Sequence, residues 1–86
     1  MTAPDFAIQA RVRRTLARRW IQAEGLDVGT TDGVVFVKGR LEVEPGHPVP
    51  FDRERLIRGI RSDLSAIAGV VDVVLEFHRE PGESER

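Results

Sequence analysis

Apolar residues recur at every fourth position near the N-terminus, at Ile8, Val12, Leu16 and Trp20. This spacing is typical of an α-helix, in which such residues line one side with a slow drift around the axis. Asp5 stands before the series and can cap the first turn, and Gly25 follows it as a stop signal. The pattern therefore predicts a first helix over residues 5–23. We expect Trp20 to close the end of the core, with an interfacial anchor as the alternative.

The next stretch predicts a β-hairpin, because two apolar runs flank a turn that ends in Asp32-Gly33. Gly33 can take the positive φ of a tight turn, and Asp32 tolerates the left-handed region. The two strands are expected over residues 26–31 and 34–43. Alternation along the second strand directs Val35, Val37 and Leu41 toward the core.

A second helix is predicted over residues 52–67. It follows a proline-rich loop, residues 44–51, whose three prolines exclude both helix and central strand. Asp52 can cap the helix. The apolar residues fall within a sector of about 100° and are Leu56, Ile57, Ile60, Leu64 and Ile67. Gly59 lies beside this sector, where we expect close contact with the first helix.

The last strand is predicted over residues 70–78, with Val73, Leu75 and Phe77 facing inward. The order α-β-β-α-β indicates an α+β fold, in which a right-handed crossover lays both helices on one face of a three-stranded sheet. We expect a single domain over residues 1–78 and a disordered tail at 79–86. The other side of this two-layer module is here called the open sheet face, and its side chains are Val34, Phe36, Lys38, Arg40 and Val74.

Composition excludes several classes of protein. With 41% hydrophobic and 31% charged residues, the chain has the composition of a folded globular domain. The absence of cysteine excludes a disulfide framework and a thiolate nucleophile. No apolar run approaches the roughly 18 residues of a membrane span, and the N-terminus lacks the pattern of a signal peptide. We therefore expect a cytoplasmic protein, with peripheral membrane association left open.

The net charge of −1 hides a local excess of arginine. Residues 6–23 contain five arginines and no acidic residue. Arg11, Arg14 and Arg18, here called the arginine stripe, gather opposite the apolar side of the predicted helix, whereas Arg19 lies near that side and needs snorkelling or a partner from the sheet. Like charges at i and i+4 slightly destabilise an isolated helix. The arginine stripe is therefore a candidate site for an anionic surface or a partner, and a merely solvated helix face is the alternative.

Other chemistry has little support. His47 and His78 have no carboxylates at ligand spacing, so we expect surface histidines, no metal site and no cofactor. Ser62 and Ser65 lack a nucleophile-elbow context, which leaves no candidate catalytic residue and no evident small-molecule substrate. Nucleic-acid binding would need aromatic platforms or a glycine clamp beside the basic residues, and the chain has no tyrosine and no GXXG loop. We expect a protein that is not an enzyme and does not bind nucleic acid.

Three segments resemble the BON domain family, small bacterial modules of order α-β-β-α-β. They are Asp5-x-x-Ile8-x-x-x-Val12-x-x-x-Leu16, Asp32-Gly33-Val34-Val35-x-Val37-x-Gly39-x-Leu41 and Ala68-Gly69-Val70-x-x-Val73-x-Leu75-x-Phe77. The resemblance spans residues 5–77, mostly at structural positions. It implies association with membranes, phospholipids or protein partners, and it carries over no catalytic residue.

The resulting expectation is a non-enzymatic BON-like module. It would bind a protein partner or an anionic phospholipid surface through the arginine stripe and the open sheet face. Two alternatives stay open. A self-associating structural module would form a homo-oligomer that buries Val34, Phe36 and Val74, and a sensor module would bind a small ligand or an ion.

Overall fold

The computed structural model describes residues 2–46 and 52–78. Two helices and a three-stranded mixed sheet confirm the α+β class. The elements are α1 (Ala3–Arg18), a short 3-10 turn (Ala23–Gly25), β1 (Leu26–Thr31), β2 (Val34–Arg40), α2 (Arg53–Ser65) and β3 (Asp72–His78). The predicted disordered tail, and residues 47–51 of the predicted loop, lie outside the described residues.

The start of α1 corrects the predicted cap. Thr2, not Asp5, is the N-cap, and its hydroxyl accepts a hydrogen bond from the backbone N–H of Asp5 at 3.3 Å. The Asp5 carboxylate accepts in return from the N–H of Thr2 at 3.2 Å. This reciprocal capping box satisfies two of the N–H groups that a helix start leaves free. The helix consequently begins at Ala3 rather than at residue 5.

The end of α1 is also earlier than predicted, at Arg18 instead of residue 23. Trp20 takes a φ of 63°, so the helix stops there and not at Gly25. The expectation that Trp20 closes the core is wrong, because its side chain is 42% exposed. Ile21 is buried instead. It forms an isolated antiparallel β-bridge with Val43, after which the chain continues to β1.

The sheet has the order β1-β2-β3. β1 runs antiparallel to β2, with Val28 opposite Val37, and β3 runs parallel to β2, with Leu75 opposite Val37. The predicted hairpin turn is confirmed by positive φ values of 51° at Asp32 and 83° at Gly33. β2 ends at Arg40 and not at residue 43, since Gly39 takes a φ of 127° and packs against the carbonyl of Gly25.

One hydrophobic core joins both helices to the sheet. Val35, Val37, Ile60 and Leu64 are fully buried in it, as predicted. The third strand contributes less than expected, because Leu75 and Phe77 are only partly buried while Val73 is 4% exposed. Leu41 remains buried although it lies beyond the end of β2.

The second half of the chain follows the prediction closely. Asp52 caps α2, since its carboxylate accepts from the N–H of Arg55 at 3.1 Å. The helix ends at Ser65, two residues before the predicted position 67. β3 begins at Asp72 rather than residue 70, because Val71 donates its N–H to the carbonyl of Gly33 at 2.9 Å before strand pairing starts. Within the described ranges, no helix is both long enough and apolar enough to cross a bilayer.

Candidate anion-binding groove between the helices

α1 and α2 lie side by side and run in opposite directions. Arg19, just after α1, contacts Gly59 and Asp63 of α2, whereas Ile8 near the start of α1 contacts Gly69 beyond the end of α2. This arrangement brings the arginine-rich side of α1 next to the last turns of α2. A groove forms along the line between them.

Arg19 explains why a glycine occupies the middle of α2. Its Nε donates to Asp63 Oδ2 at 2.6 Å, so its partner is on α2 and not in the sheet as expected. A Cβ at Gly59 would lie 2.7 Å from both terminal nitrogens of the guanidinium. Gly59 therefore leaves the space in which the Arg19 guanidinium lies flat against the helix. The predicted close contact of Gly59 with the first helix is made by this side chain.

The groove above this contact has a volume of about 590 Å³. We call it the interhelical groove, and it is lined by Arg11, Thr15, Arg18, Arg19, Asp63, Ala66 and Ile67. Three guanidinium groups share it with one carboxylate, which is already paired with Arg19. The potential in the groove is therefore positive, and planar guanidinium groups suit phosphate and carboxylate oxygens.

The structure divides the arginine stripe. Arg11 and Arg18 line the interhelical groove, whereas Arg14 is not among its lining residues. All three side chains are exposed. Among the described residues the ion pairs are Arg19–Asp63 and Arg40–Glu42, and neither involves the stripe. None of these three arginines therefore forms an ion pair in the part of the chain that the structure describes.

A second cavity, of about 400 Å³, continues along the same side of α1 toward its N-terminus. We call it the N-terminal cleft. It is lined by Thr2, Pro4, Asp5, Ala7, Ile8, Arg11, Asp32, Gly33, Ala68 and Gly69. Arg11 borders both cavities, so a basic groove and a mostly apolar cleft meet at one side chain.

Asp5 is the important residue that the sequence did not reveal. Its side chain is buried, and its two carboxylate oxygens accept the N–H groups of Asp32 and Gly33, each at 3.0 Å. Burial by itself raises the pKa of the Asp5 carboxyl, but the N–H groups of Asp32, Thr2 and Gly33 outweigh it and hold the pKa below its usual range. Asp5 thus ties the start of α1 to the hairpin turn and builds a wall of the N-terminal cleft.

The open sheet face lies on the opposite side of the sheet from the core. Lys38 and Arg40 are exposed there, and Val34, Phe36 and Val74 are half-buried. Strand register places Gly29, Phe36 and Val74 in one row, and the Lys38 Nζ lies 5.9 Å from the centre of the Phe36 ring. Register and the ring contact thus bring Phe36, Lys38 and Val74 of the predicted open sheet face together, on a side of the molecule separate from the arginine stripe. A single flat surface does not contact both.

Residues suited to metal binding do not come together in residues 2–46 and 52–78. This part of the chain contains no group of three or more His, Asp or Glu side chains arranged to hold a metal ion. His78 is exposed at the end of β3, and its carbonyl accepts from Arg53 Nη2 at 3.0 Å. His47 lies outside the described residues.

Comparison with known proteins gives no further assignment. No family model, no curated protein and no solved structure matches this chain. The resemblance to the BON family therefore stays a prediction that rests on the sequence segments alone.

Proposed function

We propose that this chain is a non-enzymatic, BON-like binding module that associates with anionic phospholipid surfaces through α1. One observation carries the proposal. The three arginines of the stripe are exposed, and no described acidic residue pairs with any of them. Unpaired cations on one side of a helix attract anionic lipids, whereas paired cations contribute little.

The expected strength of this association is modest. Each basic residue near an anionic membrane contributes about 1 kcal/mol, so three arginines supply about 3 kcal/mol, or about two decades in affinity. Firm attachment needs an apolar contribution as well. Phe6 offers one, since its side chain is 63% exposed on α1. Helical geometry places Phe6 roughly 20° from Arg13, on the outer side of the helix.

The position of Phe6 favours α1 over the open sheet face as the membrane-facing element. Phe36 is half-buried, and the lysine beside it partly covers its ring. Phe6 instead shares a helix with the unpaired arginines. An interfacial helix combines an aromatic or aliphatic side chain with basic residues in the same way.

Co-sedimentation with vesicles tests the proposal. The wild-type protein is expected to bind anionic vesicles and to ignore neutral ones, with binding that falls between low and physiological salt because the Debye length shortens to about 8 Å. Arg14→Glu/Arg18→Glu should abolish binding. Lys38→Glu/Arg40→Glu changes the net charge by the same amount on the opposite face and should retain most of it.

Two results would contradict the proposal. One is a wild-type protein that stays in the supernatant with anionic vesicles even at low salt. The other is an equal loss in both double variants, which would show that net charge alone governs binding. A third result would indicate an acidic protein partner instead of a membrane. In that case neither variant binds vesicles, and only Arg14→Glu/Arg18→Glu loses binding to a soluble acidic protein.

A further inference from the structure

We infer that the interhelical groove is a binding site for a phosphate monoester that carries an apolar substituent. The inference rests on the proposed function, because it names the chemical group that the α1 arginines bind. It depends on three features of the groove, which are its fixed donors, its charge and its continuation into the N-terminal cleft.

Arg19 supplies donors in a fixed position. The bond from its Nε to Asp63 and its contact with Gly59 hold the guanidinium in place. Within the described residues, its two terminal nitrogens donate to no acceptor. A guanidinium that is oriented through Nε and free at both Nη groups is prepared for a two-point contact with an oxyanion, since little side-chain freedom is lost on binding.

Arg11, Thr15 and Arg18 supply the opposite wall. Arg11 and Arg18 are separated by about two helical turns, or roughly 10.5 Å along the axis, with Thr15 between them. Thr15 is 5% exposed and lines the groove, so its short side chain forms part of the floor. Its hydroxyl can donate to an oxygen, and the two longer arginine side chains can close over the same position.

The charge of the groove favours a monoester over a diester. A phosphate monoester carries a charge of about −1.5 to −2 near neutral pH and exposes three strong acceptor oxygens. A diester carries a single negative charge and exposes two such oxygens. Arg11 and Arg18 have no ion-pair partner among the described residues, and the charge of Asp63 is balanced by its pair with Arg19. The phosphate therefore lies between Arg11, Thr15 and Arg18 on one side and the terminal nitrogens of Arg19 on the other.

The N-terminal cleft accommodates the rest of the ligand. Arg11 borders both cavities, so a group attached to the phosphate extends directly toward Ala7, Ile8 and Ala68. These side chains are apolar and suit a hydrocarbon or a glycerol ester. A membrane lipid with a monoester headgroup and a soluble alkyl phosphate share this chemistry, and the experiment distinguishes them.

The first arm compares vesicles that contain phosphatidic acid with vesicles that contain phosphatidylglycerol, matched for surface potential. The wild-type protein is expected to bind phosphatidic acid about tenfold more tightly, which is the factor from one additional charge-assisted hydrogen bond. Thr15→Val and Arg18→Gln should each remove this preference. Arg13→Gln, on the other flank of α1, is the control. It should weaken binding to both lipids equally, so that the preference for phosphatidic acid is kept.

The second arm uses butyl phosphate in solution, followed through the backbone amide signals of the wild-type protein by NMR. Saturable shifts centred on Thr15 and Arg18, absent with butyl sulfate at equal ionic strength, support the groove as a monoester site. If butyl phosphate produces these shifts but the protein binds the two kinds of vesicle equally, the ligand of the groove is a soluble phosphate monoester and not a membrane lipid. Thr15→Val should weaken these shifts at least severalfold.

The two proposals fail in different ways. Equal binding to both lipids, together with no butyl phosphate shifts at the groove, overturns the monoester site but leaves association with anionic surfaces intact. Butyl phosphate binding by a protein that ignores every anionic vesicle supports the groove and overturns the membrane proposal.

Discussion

The interhelical groove and the open sheet face both combine basic with apolar side chains, but their charges are arranged differently. On the open sheet face, register places Lys38 between Asp27 and Glu76 in neighbouring strands, and Arg40 pairs with Glu42 at 3.7 Å. In the groove, Arg11 and Arg18 form no ion pair with a described acid, and Asp63, the acidic residue that lines the groove with them, is paired with Arg19. Strand pairing brings one residue of each strand side by side. A helix surface brings together only residues three or four positions apart, and between residues 6 and 23 those include no acid.

This difference shows that the number of basic residues is a poor guide to a binding surface. A cation surrounded by acids holds little attraction for a further anion, because solvent and neighbouring charges already balance it. An arginine that forms no ion pair attracts a further anion more strongly than one that is already paired. Under the proposed function, the helical side is therefore the side expected to attract anions, whereas basic and acidic residues alternate across the sheet side.

The largest expected effect is a difference in how much a side-chain truncation on each side lowers the stability of the protein. Leu64 is fully buried beneath the helical layer, so Leu64→Ala should lower the free energy of unfolding by about 2–5 kcal/mol. Val74 on the open sheet face is only half-buried, and Val74→Ala should cost less than about 1 kcal/mol. Denaturant titration of both variants measures the difference. Equal losses would show that the sheet face is also covered, for instance by a second copy of the chain.

The second prediction concerns pH. The pKa of Asp5 is lower in the folded protein than in the unfolded chain, so its contribution to stability is complete above the unfolded value of about 3.9 and is lost as the pH falls through the folded value. Asp5→Asn should therefore lower the urea midpoint clearly at pH 6 and much less near pH 3. Urea titrations of the wild-type protein and of Asp5→Asn at both pH values measure this, and an equal loss at pH 6 and near pH 3 would contradict it.

The smallest effect is expected at two glycines. Gly59→Ala removes the helix penalty of about 1 kcal/mol but displaces the Arg19 guanidinium, whose partly exposed pair with Asp63 contributes about 0.5 kcal/mol. The variant should be slightly more stable and yet lose part of its discrimination between phosphatidic acid and phosphatidylglycerol.

Gly29→Ala is the matched change on the sheet side, where an added Cβ meets nothing within 4 Å. It should leave lipid discrimination unchanged. Thermal unfolding and vesicle binding measured on the same preparations test both glycines. An unaltered preference in Gly59→Ala would show that Arg19 is not part of the binding site.

The parts of the fold that depend on short-range rules were predictable. The hairpin was recognisable because a period of two and an Asp-Gly turn are local signals, and β1 has the expected bounds. The core positions of α2 followed from its apolar sector, and Leu56, Ile60 and Leu64 are buried.

The end of α1 was not predictable, because nothing in the local sequence marks Trp20 for a positive φ. The site was predictable only in part. Helical spacing identified the arginine stripe, but the groove depends on the lateral packing of two helices that are far apart in sequence. Asp5 was understood as a helix cap since a carboxylate near a helix start usually has that role. Its bonds to Asp32 and Gly33 are tertiary contacts that no local pattern encodes.

The central position of β2 has a consequence for the order in which the molecule assembles. Its pairing with β1 closes a loop of two residues, Asp32 and Gly33, whereas its pairing with β3 must wait for the chain to pass through α2. Short loops close faster and at a lower entropic cost than long ones. During synthesis the hairpin can therefore form before β3 has left the ribosome, and the exposed edge of β2 receives β3 only after α2 has been made.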